Sequence, residues 1–375
     1  MTLDEMVVEA RSLPAVPSQA AAEYGARTGW LLAAVNHALR ARADLPRLLG
    51  GNRVEVMESF HAFHAGLVSA AFALEEIELL AKTLPWLYRA RLGQGFSPDY
   101  FPVELEAWTR AVEQQLPAGR SEPVLALYRW MAARDRELLR LALEPRPEER
   151  VAADDGWAGI RERYLRALLD ADPAAAREAS NCVAAPGDLP DFYLSVIQPA
   201  MYRVGSLWES GAISVAQEHL ASAITNRVVL GLAATLRTIG RPWRGLAVVS
   251  AAPGELHELG AWMVSDLLEL DGWAVRYLGA NTPPEDLISL VATLRPDLLG
   301  LSATMVFNLP KTKEIIGVLR TEPSLSAVRI LVGGAAFALQ PGLWKRLGAH
   351  AWAADARDAS RLARSLGPSR EEAHP

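Results

Sequence analysis

Residues 246–260, LAVVSAAPGELHELG, decide how the C-terminal part of the chain folds. The run of small and β-branched apolar residues at 246–251 predicts a short buried strand, and Pro253 with Gly254 predicts the turn that ends it. This turn is not a G-x-G-x-x-G dinucleotide fingerprint. It presents one histidine, His257, with a carboxylate, Glu255, two residues before it.

Strand and helix patterns alternate on the C-terminal side of this turn. Apolar runs at 273–279, 296–304, 328–334 and 350–354 predict strands, and the stretches 257–271, 283–295, 310–320, 340–347 and 355–366 predict helices. Such alternation is typical of a parallel sheet with helices on both faces. We therefore expect a flavodoxin-like, Rossmann-like fold with five parallel strands.

The N-terminal side of the chain has helical patterns throughout. Residues 1–143 indicate an all-helical domain broken at Pro85, at Gly93 with Gly95, and at 97–102, and residues 155–240 indicate a four-helix bundle. Seams rich in proline or charge lie at 143–156 and 239–245. The expected domains are residues 1–150, 151–240 and 241–367, followed by a tail at 368–375.

Composition excludes several classes of protein. The 375 residues are 50% hydrophobic and 22% charged, which are globular values. The chain lacks an apolar run of about 18 residues and starts with an acidic segment, so we expect a soluble cytoplasmic protein without a membrane partner. A net charge of −6 argues against binding nucleic acid. The single cysteine, Cys182, excludes a disulfide framework and sites ligated by several cysteines.

Residues with ligand-binding chemistry follow three of the expected strands. Ligands of doubly wound sheets bind beyond the carboxyl ends of the strands. There Glu255 can fix the tautomer of His257 and support it as a metal ligand. One histidine cannot hold a bare ion, but it can hold a metal already caged in a macrocycle. Small and hydroxyl side chains in the other two loops leave room for the tail of a ligand, namely Ser302, Thr304, Gly333 and Gly334.

These residues resemble the cobalamin-binding signature of methionine synthase and its relatives. The matching pattern is Glu255-x-His257-x-x-Gly260, then Ser302, then Gly333-Gly334. The resemblance implies that His257 is the lower cobalt ligand and that the nucleotide tail passes the loops of Ser302, Thr304 and the two glycines. The usual aspartate of the family is Glu255 here. The bundle at 155–240 resembles the cap over the upper corrin face.

A second motif lies in the bundle. Trp208 is followed, after nine residues, by Glu218-His219, which resembles the cap of the CarH-type photoreceptors. The resemblance implies that adenosylcobalamin is the cofactor, that these three residues contact its adenosyl group, and that light changes conformation and oligomeric state. In that family the residue after the tryptophan can be a cobalt-binding histidine. It is Glu209 here, which leaves the upper ligand after illumination open.

The N-terminal domain lacks the basic recognition helix of the CarH type. His61 and His64 lie three residues apart on one helix face, and aromatic and guanidinium groups follow them: Trp86, Tyr88, Arg89, Arg91, Tyr100, Phe101 and Trp108. This arrangement resembles the photocobilins, which implies biliverdin as a second chromophore, bound through His61, His64 and Arg91. Haem bound by either histidine and a bundle that only contacts proteins are the alternatives.

The expected function is a non-enzymatic light sensor that assembles with itself and acts on an unknown downstream protein. The main alternative is a corrinoid methyl carrier for a separate methyltransferase, which would share both the cap and the sheet. A mutase subunit and a scaffold that only senses cobalamin are weaker readings, because the sequence shows no substrate barrel and because the tryptophan motif favours the sensor. Eleven tryptophans suit a large flat ligand, but they also suit ordinary cores.

Overall fold

The computed structural model describes residues 1–144, 156–236 and 244–367. Contact density divides the chain into two compact units, the first being Met1–Pro147 with Ser206–Ser214 and the second Glu148–Gly205 with Val215–Pro375. The expected division into three domains and a tail stays a prediction. The tail at 368–375 and most of both seams lie outside the described residues.

The first unit is helical, as expected. Its capping box at Thr2 and Glu5 satisfies two amides at the start of the first helix. In chain order the helices are α1 Leu3–Arg11, α2 Ser18–Ala26, α3 Thr28–Arg40, α4 Leu45–Leu48, α5 Val54–Leu74, α6 Ile77–Gly93, α7 Tyr100–Gln115, α8 Ser121–Ala133 and α9 Asp135–Leu143.

The expected helix break at Pro85 is wrong. Pro85 lies in the middle of α6, where it removes one backbone hydrogen bond. The helix continues because it packs against α1, α5 and α9 and buries apolar side chains along most of its length, so tertiary burial overrides local propensity. Pro102 is also helical, in the first turn of α7, where a missing amide donor does no harm.

The helical part of the second unit confirms the four helices expected before residue 240. They are α10 Ala158–Leu169; α11 Pro173–Ala179; a continuous helix made of α12 Leu189–Phe192, a π-helical turn Tyr193–Ile197 and α13 Gln198–Glu209; and α14 Val215–Leu236. Asp172 caps α11 by accepting from the amides of Ala174 and Ala175. The final residues of α13 belong to the first unit by their packing.

The rest of the second unit confirms the flavodoxin-like sheet. The strands β1 Leu246–Ala251, β2 Ala274–Tyr277, β3 Leu298–Ser302, β4 Arg329–Gly333 and β5 Ala351–Ala353 are all parallel, in the order β2-β1-β3-β4-β5. The central strands β1 and β3 are buried almost throughout, as a sheet covered on both faces requires. The accompanying helices are α15 Leu259–Leu270, α16 Pro284–Leu294, α17 Leu309–Thr321, α18 Ala335–Ala338, α19 Leu343–Arg346 and α20 Ala356–Leu366.

The helix expected at 340–347 is present in shortened form as α19, Leu343–Arg346. It begins late because Pro341 and Gly342 precede it, and Gly342 has a φ of 79°, in the left-handed region. The short α18, Ala335–Ala338, was not expected.

Within the described ranges, no helix combines the length and the apolar character that crossing a membrane requires.

Candidate functional site

The histidine loop lies at the topological switch point of the sheet. The chain leaves β1 for β2 on one side and returns to β3 on the other, so the loops after β1 and β3 border the crevice where such folds bind ligands. His257 lies in the loop after β1, and Ser302 is the last residue of β3. The Ser302 carbonyl accepts from the Ala252 amide at 2.8 Å, which joins the two loops at their base.

Glu255 connects these two loops. It is 1% exposed. Its Oε2 accepts from the amides of Thr304 and Met305, both at 2.9 Å, and from Asn308 Nδ2 at 3.0 Å. Thr304, expected at the site for its hydroxyl, thus contributes its amide to this network. Sequence reasoning missed Asn308, although it is a polar residue just beyond the carboxyl end of a central strand.

The other oxygen of Glu255 holds the histidine. Oε1 accepts from the Leu256 and His257 amides at 3.1 Å each and lies 2.5 Å from His257 Nδ1. Because a carboxylate only accepts, Nδ1 carries the proton and Nε2 keeps its lone pair for a metal.

The charges of this pair follow from their hydrogen bonds. Burial acts to raise the pKa of Glu255, but the hydrogen bonds from His257 and from the Met305 amide outweigh it and bring the pKa to about 2. The hydrogen bond to Glu255 raises the pKa of His257 above its usual value, although burial opposes it. Glu255 is therefore a permanent anion that makes the imidazole a stronger base.

The imidazole is held at one nitrogen and open at the other. The His257 side chain is 60% exposed and the neighbouring Leu256 is 76% exposed. In the described part of the chain, no three histidine, cysteine or acidic side chains come together as a metal site. One exposed nitrogen fits a metal whose remaining ligands come from a macrocycle.

Small residues let the loops at this edge of the sheet pack closely together. Gly334 has a φ of 93°, and a Cβ there would lie 2.3 Å from the Ala303 carbonyl oxygen, so only glycine fits. A Cβ on Gly333 would lie 3.4 Å from the Ala353 carbonyl oxygen. Gly260 faces Ser302, since its Cβ would lie 3.9 Å from the Ser302 hydroxyl. The structure thus brings Gly260, Ser302 and the β4 loop to the edge that carries His257.

Asn281, which sequence reasoning also missed, supports the loop from the side of β2. Its Oδ1 accepts from the Gly254 amide and its own amide donates to the Glu255 carbonyl, both at 3.1 Å. The φ of 55° places Asn281 in the left-handed region, which asparagine tolerates better than most residues. An asparagine two residues after a strand-ending glycine is a signal that the sequence did offer.

Two of the expected cap residues lie at the start of α14 in the second unit. The side chain of His219 is 74% exposed and that of Glu218 is 28% exposed, with 3.5 Å between His219 Nε2 and Glu218 Oε2. Ser222 donates to Glu218 at 2.9 Å. Trp208 is half-buried near the end of α13 and belongs to the first unit, where its carbonyl accepts from Gln94 Nε2 at 3.4 Å.

His61 and Arg91 are fully buried in the first unit, and both have partners. His61 Nδ1 lies 2.5 Å from Asn36 Oδ1, and Nε2 lies 2.5 Å from the Tyr100 hydroxyl. Arg91 donates to both oxygens of Glu104 at 2.9 Å each. Burial raises the pKa of Glu104, while Arg91 opposes this increase. Glu104, which sequence reasoning missed, balances the charge of Arg91, the residue that was expected to bind biliverdin.

His64 is the least satisfied member of this cluster. Its ring stacks on Trp108 with 5.0 Å between centroids, and among the described residues its Nε2 has no hydrogen-bond partner. Burial lowers the pKa of His64 well below its usual value and that of His61 to about 3, so both rings are neutral. Buried nitrogens without a partner are uncommon in folded proteins, and for the residues that the structure describes, Arg91 Nε is a second one in this cluster.

The sheet is doubly wound, and His257 presents an exposed Nε2 at its switch point. This arrangement is typical of proteins that hold a macrocycle-bound metal through one histidine. Comparison with known proteins identifies the family. Residues 245–363 match a family described as the B12 binding domain, and residues 160–233 match a second family of the same description. The chain belongs to the B12-binding corrinoid proteins, and the expectation that it binds cobalamin is confirmed at this level.

Relatives of two kinds are similar to this part of the chain. The HTH-type transcriptional repressor CarH of Myxococcus xanthus is 33% identical over 168 residues, which cover 45% of this chain and 54% of that protein. Dimethylamine corrinoid protein 3 of Methanosarcina acetivorans is 31% identical over 172 residues, which cover 45% of this chain and 79% of that protein. The chain thus spans about half the length of CarH.

One solved structure supports the fold. The monomethylamine corrinoid protein of Methanosarcina barkeri is 22% identical, with a TM-score of 0.50, and the alignment covers 56% of this chain and 99% of that one. At this identity the likeness concerns the architecture alone.

Proposed function

We propose that this protein is a light sensor that binds adenosylcobalamin with its lower nucleotide base displaced by His257. The observation that carries the proposal is the imidazole itself, fixed at Nδ1 by a buried carboxylate and exposed at Nε2. When bound, the cofactor supplies visible absorption and a weak cobalt–carbon bond. The contributions that follow come from the chain.

The chain holds the lower side of the cofactor through two fixed loops. Glu255 keeps the His257 ring in one orientation and one tautomer, and the loop of Thr304 and Asn308 fixes Glu255 in turn. Gly260, Ser302, Gly333 and Gly334 place only small side chains at this edge of the sheet, which would suit a nucleotide tail. Glu255 thus orients the His257 ring, and the small residues keep large side chains away from the edge of the sheet.

By the resemblance to the CarH type, Trp208, Glu218 and His219 would hold the adenosyl group. The tryptophan face suits packing against an adenine, and the exposed carboxylate and imidazole suit hydrogen bonds to ribose hydroxyls. The similarity to CarH supports this assignment. We infer that loss of the adenosyl group on illumination leaves these side chains without their contact and thereby changes the conformation and the assembly of the protein.

The second candidate function is a corrinoid methyl carrier serving a separate methyltransferase. The similarity to dimethylamine corrinoid protein 3 favours it about as strongly as the similarity to CarH favours the sensor. The upper ligand separates the two: a sensor discriminates in favour of the adenosyl form, whereas a carrier accepts the methyl form equally well.

A light experiment tests the sensor. Protein reconstituted in the dark with adenosylcobalamin is expected to change its absorption spectrum irreversibly under green light, and His257→Ala is expected to lose the spectrum of histidine-bound cobalt. His37→Ala is the matched control, because His37 is an exposed histidine far from the loop in sequence. An unchanged spectrum after illumination, with cobalamin bound, excludes the sensor and leaves the carrier.

For the first unit we propose biliverdin as a second chromophore, supported by the unpartnered Nε2 of His64 within an aromatic cluster. Arg91 is paired with Glu104 and His61 with Asn36 and Tyr100, so His64 is the histidine that fits the ligand best. A red absorption band after reconstitution with biliverdin, lost in His64→Ala and kept in His37→Ala, tests this assignment. Without such a band, the unit is one that contacts proteins.

Other parts of the expected function remain predictions. They are the absence of enzymatic activity, a cytoplasmic location, a downstream protein partner and the absence of a nucleic-acid partner.

A further inference from the structure

We infer that helix α6 clamps the segment that carries Trp208 and so determines how this tryptophan is presented. The Trp208 segment is residues 206–214, and it packs with the first unit although α14, which follows it, belongs to the second. The inference rests on the proposed function for the role of Trp208, but the clamp itself rests on contacts within the first unit.

The clamp begins with two glycines in backbone contact. A Cβ on Gly93, the last residue of α6, would lie 2.1 Å from the Glu209 carbonyl oxygen. A Cβ on Gly211 would lie 1.9 Å from the Gly93 carbonyl oxygen. The backbone at 209–210 therefore fills the space that a side chain on Gly93 would need, and the Gly93 backbone fills the space that a side chain on Gly211 would need. Backbone groups this close cannot slide past one another without separating.

Polar contacts on both sides of the glycines hold the segment. Glu209 is 4% exposed, and its carboxylate lies 3.6 Å from the Arg89 guanidinium. Arg89 also donates to the carbonyls of Ala142 and Glu144 at the end of α9, at 2.7 and 2.9 Å. Gln94 donates to the Trp208 carbonyl. The α9 carbonyls hold Arg89 in place beside the buried Glu209 carboxylate. Moving Glu209 away from Arg89 would leave its buried charge without this counter-charge, so the segment resists displacement.

The same helix reaches the buried cluster of the first unit. Arg91 lies two residues from Arg89 on α6 and pairs with Glu104 beside His61. A rearrangement of that cluster moves α6, and α6 carries the Trp208 segment with it. The first unit thus fixes the position of the Trp208 segment within itself.

A glycine substitution tests the clamp directly. Gly93→Ala adds a methyl group where the Glu209 carbonyl lies, whereas Gly29→Ala, on exposed α3, meets nothing within 4 Å and is the matched control. In the cobalamin-free protein, hydrogen exchange of the amides at 210–212, which bond within the segment, is expected to accelerate at least about tenfold in Gly93→Ala and not in Gly29→Ala. Equal exchange rates overturn the clamp.

The consequence for ligand choice is measured in the same full-length variants. The ratio of the affinities for adenosylcobalamin and hydroxocobalamin is expected to fall about tenfold in Gly93→Ala, because only the adenosyl form depends on Trp208. Faster exchange with an unchanged ratio overturns the positioning role. If wild-type protein itself binds both forms equally, the proposed function fails, and the exchange measurement still decides whether the clamp exists.

A milder variant protects the test against a failure to fold. Glu209→Gln keeps the shape of the side chain and removes the charge that faces Arg89. It is expected to accelerate exchange at 210–212 and to lower the affinity ratio in the same direction, by a smaller factor than Gly93→Ala. Wild-type exchange in Glu209→Gln means that the ion pair does not contribute to the clamp and overturns that part of the inference.

Discussion

Glu255 is the residue on which the geometry of the histidine loop depends. Its two oxygens accept six hydrogen bonds, three from the loop after β3 and three from its own turn. The usual aspartate of cobalamin proteins is one methylene shorter, and the longer side chain here spans both loops. The residue therefore has a structural role as well as a role in orienting His257.

Replacing Glu255 by glutamine is expected to destabilise the cobalamin-free protein by about 2–3 kcal/mol. The amide nitrogen of glutamine donates hydrogen bonds, so it would face the three donors that one carboxylate oxygen now accepts from. Urea unfolding measures the change. Glu285→Gln is the control, since Glu285 is exposed at the start of α16 and is expected to have little effect. Equal unfolding midpoints for the two variants would contradict the role of Glu255.

Glu104 and Glu106 on α7 provide a comparison between a buried and an exposed ion pair. Glu104→Gln leaves the guanidinium of Arg91 buried without a counter-charge, so we expect a loss of about 3–5 kcal/mol. Glu106→Gln breaks only an exposed pair with Arg110 and is expected to leave stability nearly unchanged. Thermal unfolding measures the loss of stability in each variant. A similar small loss in both would mean that the pair of Arg91 and Glu104 is not buried in solution.

At the scale of elements, the sequence predicted the sheet better than the helices around it. Apolar runs and glycine turns identified all five strands, because each run is short and is bounded by turn residues. The helical state of Pro85, the short α18 and the late start of α19 escaped prediction, because they depend on packing with distant elements and on the left-handed Gly342. The π-helical turn at 193–197 has no local sequence signal either.

The π-helical turn contains Tyr193, whose contact with Asp266 leads to a prediction about the pH dependence of stability. Tyr193 donates to Asp266 of α15 at 2.5 Å. Burial raises the pKa of Asp266 to about 7, with Glu269 adding to the rise. Between the unfolded pKa near 3.8 and the folded pKa near 7, the folded state keeps a proton that the unfolded state has lost. The contribution of Asp266 to stability therefore falls as the pH rises through this window.

Asp266→Asn removes this titration and still offers an oxygen to Tyr193. Relative to wild type, the variant is expected to gain about 2–3 kcal/mol of stability between pH 5 and pH 8. Urea unfolding at pH 5 and pH 8 gives the free energy of unfolding of both proteins. The difference between the two proteins at each pH isolates the effect of Asp266. Curves that stay parallel from pH 5 to pH 8 would show that Asp266 titrates normally.

At the scale of the whole molecule, sequence motifs identified functional residues but not the unit in which they lie. The spacing of Trp208, Glu218 and His219 suggested one bundle, yet Trp208 packs with the first unit and the other two belong to the second. The Trp208 segment contacts the first unit where the Gly93 backbone meets the 209–211 turn, and these two segments are more than 100 residues apart in sequence. Neither the periodicity of apolar residues nor the spacing of motifs predicts a backbone contact between segments so far apart in sequence.

The last prediction concerns assembly. Val215 and Leu220, on either side of Glu218 and His219, are 46% and 45% exposed, so apolar surface adjoins the residues assigned to the adenosyl group. Under the proposed function, loss of that group would change the surroundings of this surface, and exposed apolar surface is what subunits bury when they associate. Light is therefore expected to change the mass of the assembly about twofold or more, since dimers are the commonest closed assembly.

Light scattering coupled to gel filtration measures this mass before and after illumination. Dark-handled protein, protein loaded with hydroxocobalamin, and His257→Ala are the controls, and each is expected to keep one mass under the same light. A mass change in the hydroxocobalamin sample would mean that heating or oxidation, rather than loss of the adenosyl group, drives assembly. An unchanged mass in the adenosylcobalamin sample, despite a changed spectrum, would mean that the signal leaves through conformation alone, by way of the Trp208 segment and α6.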